Sequence, residues 1–140
     1  MKETDELETP PWLFEWLNNS FNFTHDAACT LDNAKAGYLG TDTLSMPAGS
    51  WGKRNFLNPP YSAPYMFLMR AHEEAQHGNT TVALVKHDHS TKWWREAVEG
   101  KAVVIPLNRR IRFYLQGKPT EHAASFPSSL LLYLPKLPSI

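Results

Sequence analysis

"KRNFLNPPYSAPYMFLMRAHEEAQHGNTTVALV", residues 53–85, joins a short apolar run, a proline-braced turn, an amphipathic stretch and a second apolar run in one uninterrupted piece. "KRNFL" reads as a strand. "SAPYMFLMRAHEEAQHGN" places apolar residues at 65, 67, 68 and 71 and stops at Gly78, the spacing and ending of an amphipathic helix. "TTVALV" is a β-branched strand. Strand, helix and strand in that order predict a crossover between parallel strands. Working outward, "TPPWLFEWLNNSF" predicts a helix with Thr9 as N-cap, Pro10 at the first helical position and apolar residues at 12, 13, 16 and 17. "FNFTHDAA" reads as a short extended segment. "CTLDNAKAGYLGTDTLSMPAGSW" lacks a sustained period and is expected to be loops with about one turn of helix. Downstream, "STKWWREAVEG" predicts a capped helix closed by Gly100, and "KAVVIPL", "RIRFYL" and "SSLLLYL" predict three further strands. The alternation implies an α/β fold with parallel strands, finished by an antiparallel excursion.

At 140 residues the chain is expected to form one domain over 1–140, with residues 1–8 as a flexible acidic tail. Apolar residues make up 42% and charged residues 20%, a balance that excludes a disordered or collagen-like chain. No apolar run approaches membrane-spanning length, and "MKETDELE" is acidic where an export signal is basic, so a cytoplasmic protein without membrane contact is expected. Cys29 is the sole cysteine, which excludes an internal disulfide and a multi-cysteine zinc site and reads as a small buried side chain. The net charge of zero hides an asymmetry. Residues 1–8 hold four acids and one lysine, whereas residues 86–118 hold eight Lys or Arg against three acids. Such a basic stretch is either a solvated face or a phosphate-contacting one.

In an open parallel sheet, ligands bind beyond the carboxyl ends of the strands, which is where "NFL" delivers Asn58-Pro59-Pro60-Tyr61. Pro60 forces Pro59 into an extended conformation, and neither proline carries an N–H. The Asn58 side-chain oxygen and the Pro59 carbonyl thereby form a stiff pair of acceptors suited to the two N–H bonds of an exocyclic amine. Tyr61 adds a stacking face. Accepting both protons draws the amine lone pair out of conjugation and makes the nitrogen a better nucleophile toward an activated methyl group. Taken alone, the same four residues are equally a turn initiated by Asn and Pro.

Several separated segments, in matching order, decide between those readings. "TPPWLFEWL", "FTHDAACTLDNAKAGYL", "NPPYS", "TKWWREAV", "RRIRF" and "ASFPSSLLLYL" resemble, from residue 9 to about 134, the phage Dam-type DNA N6-adenine methyltransferase family. The resemblance implies a Rossmann-like fold with a mixed sheet and flanking helices, S-adenosylmethionine as methyl donor and adenine in DNA as acceptor. It further implies that Asn58, Pro59 and Tyr61 hold the amine and stack the base, with Pro60 as the rigid position between them. Asp26 falls near the methionine part of the donor, Ala27 and Ala28 allow its close approach, and Thr9 and Pro10 pack on its other side. Asn58 also borders the donor, and Asp42 lies in a loop within reach of the donor's ribose or adenine. Lys92, Arg109, Arg110 and Arg112 are candidate DNA-phosphate contacts. Specificity is expected to be short or relaxed, or supplied by a partner subunit, because little chain remains for a recognition domain. A phage origin implies the host cytoplasm and self-protection from restriction; a homo-oligomer is compatible with the sequence without being required by it.

The chain departs from the family pattern at "LVKHDHSTKWW", where Ser90 stands in place of an expected acid and Asp88 lies two positions earlier, and at "IPLNRRIRF", which replaces a more glycine-containing approach. Other readings of the residues stay open. The chain is alternatively a DNA- or donor-binding homologue without turnover, or an amino-methyltransferase acting on cytosine N4, RNA or a glutamine amide. "HDH" at 87–89 sets two histidines on one face of a strand, but no further cluster completes a metal site. A Cys29–His25 nucleophile pair lacks a third orienting group. Trp12, Phe14 and Trp16 are expected to pack in the core.

Overall fold

The computed structural model describes residues 6–29, 33–39 and 42–136. In chain order its elements are α1 (Pro11–Phe21), β1 (His25–Asp26), β2 (Gly37–Tyr38), β3 (Arg54–Leu57), α2 (Tyr65–Gln76), β4 (Thr80–Lys86), α3 (Lys92–Ala97), β5 (Val103–Pro106), β6 (Tyr114–Leu115), β7 (Lys118–Pro119) and β8 (Ser128–Tyr133). Among the described residues one sheet has the strand order β2-β1-β3-β4-β8-β5, and β6 and β7 pair as a separate hairpin. β2, β1, β3 and β4 run parallel to their neighbours, while β8 lies antiparallel between β4 and β5. β4 and β5 therefore point the same way. This is the mixed α/β sheet expected from a strand–helix–strand sequence closed by an antiparallel return.

Side-chain alternation divides the sheet into two packed faces. Val82 and Leu84 of β4, Phe56 of β3 and Leu130 of β8 pack with Leu13, Phe14 and Leu17 of α1 and with Ile111 and Phe113. The intervening residues Ala83, Val85, Leu57, Leu131 and Tyr133 pack with Leu68, Ala71 and Ala75 of α2 and with Trp94, Ala97 and Val98 of α3. Helices thus cover both faces, as buried parallel strands require. α3 is short, and its first turn is held by Thr91, whose hydroxyl accepts from the Trp94 N–H at 3.3 Å.

One buried ion pair organises the approach to the catalytic rim. The Glu74 carboxylate, 0% exposed, accepts from Gly49 N at 2.7 Å, Trp51 N at 3.0 Å, Asn79 Nδ2 at 2.9 Å and Arg70 Nε at 2.8 Å. Burial pushes its pKa up, but the Asn79, Arg70 and backbone hydrogen bonds together outweigh this and leave it below the usual carboxylate value. Beyond that anchor, Trp51 Nε1 donates to the Thr43 carbonyl at 3.0 Å and Thr43 Oγ1 donates to the Ala27 carbonyl at 2.7 Å. Helix α2 is in this way tied to the carboxyl end of β1. Gly52 closes the same turn: a Cβ there would lie 1.9 Å from His25 Nδ1.

The structure corrects four expectations. Pro10, in extended conformation, is the N-cap of α1 and Pro11 opens the helix, so the start lies one residue later and Thr9 is no cap. β2 arises inside the stretch expected to be loop; a two-residue strand has no periodicity of its own and exists only by pairing with β1. "RIRFYL" is strand only at Tyr114–Leu115: Ile111 and Phe113 are buried and Arg112 exposed, as in a strand, but the isolated bonds from Ala124 N to the Ile111 carbonyl at 2.8 Å and from Thr120 N to the Phe113 carbonyl at 2.9 Å do not make a ladder. Finally, Phe14 is buried whereas Trp12 and Trp16 are 52% and 57% exposed, because the stripe of α1 facing the sheet is filled by Leu13, Phe14 and Leu17.

Candidate active site

Strand register brings the candidate residues together. Asp26 pairs with Phe56 in adjacent parallel strands, and Asn58 follows Phe56 by two residues, so Asp26 and Asn58 share one face at the carboxyl end of the sheet. α1 packs on that face through Phe56, which carries the preceding residue Thr9 to the same rim. The result is a cleft lined by Glu6, Leu7, Glu8, Thr9, Asp26, Ala28, Cys29, Asn33, Lys35 and Asn58. Its volume is about 70 Å³, room for roughly five waters.

Asn58 is oriented by the N-terminal segment. Its Nδ2 donates to the Leu7 carbonyl at 3.1 Å, which leaves Oδ1 as the free acceptor end of the amide. Leu7 is held in turn because Glu8 pairs with Tyr114 through N–H···O bonds of 2.7 and 2.9 Å in both directions, and the Glu8 carboxylate accepts from Gly117 N at 2.9 Å. Glu6 to Glu8, within the segment expected to be an acidic tail, thus form one wall of the cleft.

Asp26 is 4% exposed. Its carboxylate accepts from Lys35 N at 3.0 Å and Ala28 N at 3.4 Å. Burial raises its pKa, opposed by those two N–H groups, by Cys29 and by the positive charge of Lys35. Thr9 Oγ1 is buried in the cleft wall without a hydrogen-bond partner. Cys29 is half-buried and lines the cleft, where a fully buried side chain was expected; its thiol donates to the Asp26 carbonyl at 3.3 Å. Burial and the neighbouring Asp26 charge push the thiol up to about 12, which removes it as a nucleophile at neutral pH.

Pro59 is buried, and Pro60 bends the chain into a turn closed by Ala63 N donating to its carbonyl at 3.2 Å. Tyr61 meets Phe113 and Phe126 edge-to-face, at ring centroid distances of 5.9 and 5.5 Å. Its hydroxyl is buried without a partner, and desolvation pushes its pKa up. Lys86, at the end of β4, sits over the Phe126 ring at 5.7 Å. Phe126 belongs to the "ASFPSS" segment, so this aromatic wall is assembled from opposite halves of the chain.

Thr9, Asp26, Ala28 and Asn58 therefore line one cleft, with Pro10 and Ala27 buried behind it. Asp42 does not line it; its carboxylate accepts from Ser45 Oγ at 2.6 Å on an exposed loop. Lys92 pairs with Glu96 at 3.7 Å on the surface of α3. Arg110 donates to the Ser125 carbonyl and Arg112 Nε to the Thr120 carbonyl at 2.6 Å, while Arg109 is exposed. His87 Nδ1 lies 2.5 Å from Ser129 Oγ and its ring packs on Trp94, so "HDH" is spent on local contacts. Glu6, Glu8 and Lys35 were not singled out from the sequence; only the fold carries the N-terminal segment and the loop after β1 to Asn58.

Similarity to known proteins agrees with this geometry. The chain is 33% identical over 143 aligned positions to a DNA N-6-adenine-methyltransferase of Haemophilus phage HP1, covering 97% of this chain and 82% of that protein. It is 31% identical over 104 positions to a DNA N-6-adenine-methyltransferase of Escherichia phage T1, covering 72% of this chain and 44% of that protein. The profile of one family matches residues 1–138, and this chain belongs to that family, DNA N-6-adenine-methyltransferase (Dam).

Proposed function

We propose that the chain transfers the methyl group of S-adenosylmethionine to the N6 nitrogen of adenine in DNA. The observation that carries this reading is the shared cleft, where Asn58, held through its nitrogen by Leu7, stands beside buried Asp26 and the unpartnered Thr9 hydroxyl. The donor set fits the methionine end of S-adenosylmethionine: Asp26, with Glu6 and Glu8 nearby, suits an ammonium and a sulfonium, and Lys35 suits a carboxylate. The polar lining of the cleft would suit that end of the donor. When bound, the donor supplies an electrophilic methyl carbon on a positively charged sulfur.

Asn58 Oδ1 and the Pro59 carbonyl accept the two N6 hydrogens and direct the nitrogen lone pair out of the base plane. Their rigidity is what makes the contact stronger as the nitrogen gains positive charge, since no reorganisation is needed. Tyr61, backed by Phe113 and Phe126, provides the aromatic surface against which the base lies. The Tyr61 hydroxyl, buried and pushed toward its neutral form, takes no proton. In duplex DNA the adenine must leave the stack at a cost of a few kcal/mol, which these contacts offset.

Incubation with labelled S-adenosylmethionine and unmethylated DNA tests this. The parent should place label in N6-methyladenine, and Asn58→Ala should lose on the order of 10²–10³ in rate, the loss expected for one preorganised polar contact. Label absent from adenine, or an Asn58→Ala rate equal to the parent's, overturns the reading.

A further inference from the structure

A second recess lies on the other pole of the sheet. Asn58 follows β3 at the carboxyl end of the parallel strands, whereas Gln76 and Gly78 precede β4, Lys101 precedes β5, and Pro135 and Lys136 follow the antiparallel β8. These segments and His72 of α2 enclose an open groove of about 570 Å³. That is the size of a ligand site, and it shares no residue with the cleft beside Asn58.

The chemistry of the groove is one-sided. Lys101, Lys136 and His72 line it, and no lining residue carries a carboxylate. Neither lysine forms an ion pair among the described residues. The negative end of α2 opens nearby, but the Glu74 and Ala75 carbonyls already accept from the N–H groups of His77, Gly78 and Asn79. An anion entering the groove meets the Lys101 and Lys136 ammonium groups, and the Glu74 and Ala75 carbonyls are already paired. Burial, and then the charges of Lys101 and Lys136, hold the His72 pKa below its usual value. A bound anion would relieve that repulsion.

We infer that this groove binds a phosphate group, and that its source is the backbone of a DNA segment other than the one presented to Asn58. Two lysines from two separate segments of one groove suit backbone phosphates, and a second grip on DNA adds sequence-independent affinity. The groove does not depend on the methyl-transfer chemistry, so its test uses binding alone.

The ring signals of His72, assigned by comparison with His72→Gln, are followed by NMR during titration of the intact chain with inorganic phosphate and, separately, with a short DNA duplex. A shift with duplex identifies the backbone as the source. A shift with inorganic phosphate alone keeps the phosphate site and identifies a small phosphate ester as its ligand. The charge reversal Lys101→Glu with Lys136→Glu should abolish the shift, weaken duplex binding by on the order of tenfold and reduce the slope of log affinity against log salt by about two. Both lysines are on the surface, so the variant should melt at the parent's temperature. No His72 shift with either titrant, or an unchanged shift in the folded double variant, overturns the inference.

Discussion

Two buried polar side chains, Thr9 and Asp26, line the cleft, and on the proposed reading the donor supplies what each lacks in the free protein. Thr9 Oγ1 has no partner, and an unsatisfied buried hydroxyl costs about 1–3 kcal/mol. Thr9→Val keeps the shape and removes the hydroxyl. It should leave the melting temperature of the free protein equal or higher while weakening S-adenosylmethionine binding about tenfold, as read by calorimetry. Asp26 behaves in the same sense. Its folded pKa is raised, so its contribution to stability is present below its unfolded pKa and is lost as pH rises through the folded value. On the proposed reading donor binding uses the charged carboxylate, so affinity should fall on acidification beginning above the ordinary aspartate value of about 4. Asp26→Asn should flatten that dependence. A parent profile indistinguishable from the variant's between pH 4 and 7 would remove Asp26 from the donor site.

At the scale of elements, the bond from α2 to the loop over residues 47–51 holds the rim in place. Glu74 is the acceptor for four donors from three segments, and Arg70 also stacks over Trp51 at 5.3 Å. Glu74→Gln leaves buried Arg70 with the half-exposed Glu73 carboxylate, 3.8 Å away, in place of its close partner and should cost about 3 kcal/mol in denaturant unfolding. Because the folded pKa of Glu74 is depressed, its stabilisation is present above the unfolded value and is lost as pH falls through the folded one. The difference between parent and variant should accordingly shrink below about pH 4. The connection onward through Trp51 and Thr43 to Ala27 makes this a positioning network for Asp26 as well, so donor affinity should decline even where the variant remains folded.

For the molecule as a whole, the cleft is closed by residues that are remote in sequence. Leu7 orients Asn58 across a separation of 51 positions, and it can do so only while Glu8 is bridged to Tyr114. Deleting residues 1–7 removes Leu7, which packs at the edge of the face that α1 covers from Leu13 onward. The deletion should lower the methylation rate by on the order of tenfold or more through a misdirected amide, with a shift in melting temperature of only a few degrees. Loss of folding on this deletion would instead assign the segment a structural role.

The parallel strands, the amphipathic α2 and the Asn58-Pro59-Pro60-Tyr61 turn were legible in the sequence, because periodicity, glycine and proline act over a few residues and the turn's chemistry lies within four. The order of motifs singled out Asp26 and Thr9, and the structure sets both in the lining of one cleft. What only the tertiary structure decided is contact between distant segments: the pairing that makes a strand of Gly37–Tyr38, the exposure of Trp12 and Trp16, the use of Glu6 to Glu8 as a wall, and the direction in which the Asn58 amide points. Local pattern fixes which face of an element is apolar. Which neighbour that face meets, and which carbonyl takes an amide's protons, depends on loop closure across dozens of residues, and no local period encodes it.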